Sequence, residues 1–309
     1  MQLIALHCSP PPGRLTEGPV WHAARAEVLW VDITAGLVHR APLKARDDGG
    51  DLPDLGPRTT LSLDRPVGAV ALCASGGLLA AAGTQFLRID EAMGTATEFG
   101  APVVPADGTP RRMNDAKCDP GGRLLAGTMA YDTTPGAGAL YRLDPDGTVT
   151  TLIDSVTISN GLGWSPDGSL LYYADSPTRR VDVFDHDLAT GALSNRRPYA
   201  TTGEDGEPDG LAVDTDGRVW VAVWGAGQVR AYTPDGDLHA VVTVPASQVS
   251  SCAFAGPELD LLVITTAAEG LAPEERAEQP LAGRVFMCRP GATGLPVALF
   301  ADGPPRPFA

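Results

Sequence analysis

One short pattern occurs six times along the chain, and no other feature limits the fold as severely. Each copy has a key residue, usually a Gly after it, an apolar residue four positions on, a turn and a second apolar strand. The copies begin at Glu17 (EGPVW), Val67 (VGAVA), Asn114 (NDAKC), Asn160 (NGLGW), Asp209 (DGLAV) and Ser250 (SSCAF), at intervals of 50, 47, 46, 49 and 41 residues. A period of about 40 to 50 residues with several strands per unit is the signature of propeller blades. The expected fold is therefore an all-β six-bladed β-propeller with four antiparallel strands per blade, formed by residues 1–309 as a single domain.

The details of each copy agree with this. The apolar position reads Trp21, Ala71, Cys118, Trp164, Val213 and Phe254, which makes Cys118 a core filler. The position after the key residue is Gly18, Gly68, Gly161 and Gly210 in four copies, as expected where backbones crowd together, and Asp115 and Ser251 in the others. Turns follow as DPGG at Asp119, SPDG at Ser165 and DTDG at Asp214, with Gly76 and Gly77 in the second copy and further turns at Asp144 and Thr233. Second strands such as LLAAA from Leu78 and VWVAV from Val219 suit a pleated, buried surface. A helix is expected only around Pro273 to Gln279. To close the ring, a strand Leu3 to His7 is expected to complete the last blade beside Arg284–Cys288 or Val297–Phe300.

Composition excludes several functional classes. The chain carries 36 Gly and 28 Pro, spread throughout, which favours many tight turns. A net charge of −15 opposes binding to nucleic acid or to an anionic membrane and suits a cation. Five separated cysteines without CxxC spacing fit a reducing compartment. The N-terminus MQLIALHC lacks a basic region, and the longest apolar stretch, Val67 to Gly83, is broken by a turn and too short to span a bilayer. The expected location is cytoplasmic.

In a propeller the innermost strands line an axial channel, so one repeat position forms one ring. That ring is Glu17, Val67, Asn114, Asn160, Asp209 and Ser250. Two carboxylates and carboxamide oxygens aimed into one channel repel or stay unsatisfied without a partner, and one divalent cation resolves this. An all-oxygen set favours Ca2+, Mg2+ or Mn2+ over Zn2+ or Fe2+. Arg112 and Asn114 alternate on one strand face, so both reach the channel mouth if the strand runs as expected. A solvated loop charge is the competing account of Arg112, and local turn bonding that of Asp115. His22, His39 and His186 show no metal-ligand spacing, and no GxSxG motif supports a serine nucleophile.

LTEGPVW at Leu15, RRMNDAKCDPGGRLLAGTM at Arg111, ISNGLGWSPDGSLLYYADS at Ile158, EPDGLAVDTDGRVWVAVWGAGQVRAY at Glu207 and GLAPEERAEQPLAGRVF near the end resemble segments of the regucalcin and gluconolactonase (senescence marker protein) family. The resemblance implies one divalent cation held by Glu17, Asn160 and Asp209, and a substrate held by Arg112, Asn114 and the loop acid Asp132. It implies a metal-dependent lactonase that opens a sugar lactone to the aldonic acid, with the metal polarising the carbonyl and either Asp209 or a metal-bound hydroxide activating water. Other readings are a phosphotriester hydrolase or a non-catalytic calcium-binding propeller.

Overall fold

The computed structural model describes residues 2–7, 12–46, 49–91, 94–103 and 107–303. It is a six-bladed β-propeller, as the repeat predicts. The inner strands, from blade 1 to blade 6, are Thr16–His22, Val67–Leu72, Arg111–Cys118, Ser159–Trp164, Glu207–Val213 and Val249–Ala255. From each, antiparallel strands step outward in chain order. The outermost position of blade 1 is shared by Asp54–Leu55 and Thr59–Ser62, both paired to Leu37–Lys44. Among the described residues the one α-helix is Pro273–Glu278, inside the segment predicted for it.

The core lies between blades. Six apolar clusters each join one blade to the next, because each sheet is apolar on both faces near the axis. Trp220 of blade 5 meets Phe254 of blade 6 edge to face, with ring centroids 5.9 Å apart. The ring-closing seam sets Trp21, Val28 and Trp30 of blade 1 against Ala255, Val263 and Met287 of blade 6. Cys118 is buried in the seam between blades 2 and 3, a core filler as its repeat position implies.

Ring closure differs from the expectation in one respect. The segment expected to form one strand on the last blade is divided between two blades. Leu6–His7 pairs antiparallel with Val285–Cys288 in blade 6, whereas Gln2–Ile4 adds a parallel fifth strand to blade 5, Leu3 opposite Val242. The chain crosses between the two edges at Ala5, which is buried and donates its N–H to Thr243 O. Outer strands of neighbouring blades diverge, so a single straight strand cannot follow both.

Val297–Phe300 forms no named strand among the described residues. Instead, residues 293–302 cross the far face of the ring as a strap. Thr215 donates to Thr293 O, Gly294 to Leu259 O, Ala74 to Phe300 O and Ala301 to Gly122 O, so the strap touches blades 5, 6, 2 and 3 in turn. Its end supplies a group that one blade lacks. The inner turns of blades 3 and 5 are locked by their own carboxylates: Asp119 takes Arg123 N–H, and Asp214 takes Arg218 N–H and Trp220 Nε1–H. Blade 2 has Ala74-Ser75-Gly76 there, and Asp302 of the strap accepts from Ser75 N–H at 2.9 Å, from its hydroxyl at 2.6 Å and from Arg88 Nη1 at 3.2 Å. The Asp302 side chain is only 2% exposed.

Asp302→Ala removes an acceptor from three donors at once. It should destabilise the protein by about 1 to 3 kcal/mol in urea unfolding. A loss within error of zero would show that the strap is not fastened through this residue.

Candidate functional site

The six inner strands carry the same irregularity at the same place. Each slips register against its neighbour just at or after the key residue: between Glu17 and Val20, Val67 and Ala69, Met113 and Ala116, Ser159 and Leu162, Pro208 and Leu211, Val249 and Ser251. A bulge re-aims side chains and bends the strand. Glycine occupies these positions for a steric reason. A Cβ on Gly68 would collide with the Asn114 carbonyl of the next blade, one on Gly161 with the Asp209 carbonyl, and one on Gly210 with the Ser251 side chain.

The bulges bring Glu17, Asn114, Asn160 and Asp209, with Arg112, to one buried location, each 5–7% exposed. A directional hydrogen-bond chain orders them. Arg112 Nη1 donates to Asn114 Oδ1 at 2.6 Å, and Asn114 Nδ2 donates to Asn160 Oδ1 at 2.8 Å. Asn160 Nδ2 donates to Ser176 Oγ at 2.8 Å, whose hydroxyl donates to Pro208 O at 2.7 Å, beside Asp209. Ser176 thereby fixes the Asn160 carboxamide with its oxygen on the Asn114 side. It sits in a short 3-10 turn, Ser176–Thr178, directly after the second strand of blade 4.

Ser250 behaves differently from the rest of the ring. Its hydroxyl donates to Thr16 O at 2.6 Å and it is fully buried, so it ties blade 6 to blade 1. Asp132 is not brought to the set. It is exposed, and its Oδ1 accepts from both the N–H and the hydroxyl of Thr134. Its neighbour Tyr131 and the distant Glu269 face the Arg112 guanidinium electrostatically. Neither has a repeat phase, so no periodic signal marks them. His39 and His186 serve packing, bonded to Thr60 Oγ1 and Gly168 O.

The electrostatics are those of crowded, dry carboxylates. Burial raises the Glu17 pKa to about 8, with further help from the Asp115 charge. Burial, then Glu17, then Asp115, raises that of Asp209. Asp209 Oδ1 is buried with no hydrogen-bond partner. Burial pushes the Arg112 pKa down, opposed by Tyr131, Glu17, Glu269 and Asp209. Among the described residues no group of three or more His, Cys, Asp or Glu is arranged to hold a metal. A cation here would therefore draw on the Asn160 oxygen as well as the two carboxylates, and the orphaned Asp209 oxygen fits that need.

Residues 15–268 match the family model described as the SMP-30/Gluconolactonase/LRE-like region. The chain belongs to this family. Regucalcin of Oryctolagus cuniculus is 37% identical over 97% of the chain and 100% of its own length, and regucalcin of Homo sapiens is 38% identical over 93% and 94%. The crystal structure of a calcium-binding protein, regucalcin, from Agrobacterium tumefaciens superposes with a TM-score of 0.87 at 28% identity, covering 97% of this chain and 98% of that one. Family membership thus agrees with the fold and with the resemblance carried by the inner-strand motifs.

The raised carboxyl values give a sign for stability. A carboxyl whose folded pKa exceeds its unfolded value holds its proton longer in the folded state, so stability is lost as pH rises from about 4 towards the raised value. In chelator, the protein should lose stability between pH 4 and 8, and Asp209→Asn should flatten that decline. Urea midpoints at several pH values measure both. A wild-type profile as flat as the variant's would refute the carboxylate crowding.

Proposed function

We propose that the chain is a metal-dependent lactonase that opens a sugar lactone to its hydroxy acid at the axial site formed by Glu17, Asn160 and Asp209. The observation that carries this reading is the convergence of two buried carboxylates and an oriented carboxamide, with an arginine beside them, in a member of a family named for gluconolactonase. Glu17, Asn160 and Asp209 would hold one divalent cation, with Ca2+, Mg2+ or Mn2+ suited to these oxygens. Such a cation, when bound, polarises a carbonyl and stabilises negative charge on its oxygen.

The chain's own groups do the rest. Arg112 uses Nη1 on Met113 O and Asn114 Oδ1, which fixes the guanidinium and leaves its other N–H groups for ring hydroxyls. Asn114 is held in turn, so the ester is oriented by groups that need not reorganise. Asp209, through a carboxylate oxygen that does not hold the cation, would take a proton from the attacking water as the water oxygen bonds to the carbonyl carbon. The ring C–O bond then breaks, and that proton passes to the departing ring oxygen, giving a neutral hydroxyl and a carboxylic acid that ionises. The net charge of −15 on the chain favours release of the anionic product.

The regucalcin name of the relatives supports a second reading, calcium binding without turnover. Acid release from a fresh aldonolactone, corrected for spontaneous opening and measured with and without chelator, separates the two. Metal-dependent acid release is expected. Calcium binding by calorimetry with no acid above background would leave the chain as a calcium-binding propeller. Asp209→Ala should lower turnover about 100- to 10,000-fold and weaken metal binding. Arg112→Ala should raise KM about 10- to 100-fold with metal binding retained. An active, metal-replete Asp209→Ala protein would refute the role given to that residue.

A further inference from the structure

One cavity of the described structure lies away from the buried carboxylates. It has a volume of about 400 Å³ and lies on the other side of the bulged ring. Glu17, Asn160, Asp209, Arg112 and Asn114 are all absent from its walls, whereas Gly18 and Asp115 border it. Its far wall is the strap, through Leu295, Pro296, Val297 and Ala298. The side walls are mainly apolar, with Val70, Trp164, Val213 and Phe254 among them.

Two opposite charges face this space. Along the inner strand of blade 3, Asp115 to Cys118 border it, and of these Asp115 and Lys117 are partly accessible while Ala116 and Cys118 are buried. Lys117 Nζ donates to Leu211 O at 2.7 Å, which uses one of its three donors. The Asp115 carboxylate lies near the Ala116 N–H and retains acceptor capacity. A carboxylate ligand would meet Asp115, and an ammonium ligand would meet Lys117. A neutral group that both accepts and donates, such as a hydroxyl or primary amide, satisfies the two together.

The volume sets the rest of the ligand. A dry apolar cavity of ~150 Å³ holds benzene, and ligand pockets span about 300 to 1,000 Å³. We propose that this lower chamber is a second binding site, separate from the lactone site, for a small neutral amphiphile: an alcohol or primary amide on a hydrocarbon body of roughly six to ten carbons.

Isothermal titration of the intact protein with 1-octanol, octanoate and octylamine tests this. Saturable binding of one 1-octanol per chain is expected, at least tenfold tighter than either charged analogue. Ala253→Phe and Val297→Phe, one on an inner strand and one on the strap, each fill the chamber and should weaken 1-octanol binding at least tenfold, with the circular dichroism spectrum retained. Lys117→Met should weaken 1-octanol binding while sparing an octane probe. No saturable binding of 1-octanol, equal binding of octanoate, or binding indifferent to both folded Phe variants would overturn the proposal and leave a water-filled channel. Lactone opening is a separate readout, so its absence would not bear on this chamber.

Discussion

Everything in this molecule follows from how closely six strands approach a common axis. At the key positions the neighbouring backbones leave no room for a Cβ on Gly68, Gly161 or Gly210. The strands cannot stay regular at that distance, and each slips by a bulge. The slip turns the side chains of Glu17, Asn160 and Asp209 towards the axis, and three carboxyl groups, Glu17, Asp115 and Asp209, feel one another through a poorly screened interior. Packing thus creates an electrostatic cost that only a proton or a cation relieves.

That cost is borne by the seams and the fastenings. Six apolar clusters hold the blades face to face, and the seam between blades 1 and 6 joins the two ends of the repeat array. The N-terminal residues add an edge to each of the last two blades, and the strap crosses four blades on the far face. Proteins commonly keep a destabilised site when the surrounding structure over-determines it. Here the over-determination is visible in the relay from Arg112 to Pro208, where Asn114, Asn160 and Ser176 each hold the next group in a single orientation.

The blades and the convergence of Glu17, Asn160 and Asp209 were legible in the sequence because both have a repeat phase. A residue with a phase is placed by symmetry, without knowledge of any contact. Ser176, Glu269 and Asp302 have no such phase. Asp302 reaches Ser75 across 227 positions, and no periodic argument connects them. The division of Leu3–His7 between two blades escaped for a related reason, since it depends on how far two outer edges diverge. Ser250 has the phase but not the environment: a hydroxyl small enough to reach Thr16 O closes the ring instead of facing the axis. Asp132, placed by resemblance alone, lies in a loop whose Thr134 captures its carboxylate locally.

Asp115 is where these constraints meet. In four other copies its position is a Gly that abuts or approaches the next blade. In blade 3 the close approach is made elsewhere, by Gly127 of the second strand against Ser159, so the inner strand has room for a side chain. That side chain faces the lower chamber with Lys117, yet its charge still raises the pKa of Glu17 and Asp209 above it. The ammonium of Lys117 partly offsets this, since it lowers the Asp115 pKa against the larger effect of burial. Asp115, one of two departures from the glycine pattern, therefore couples electrostatically two spaces that the backbone keeps apart.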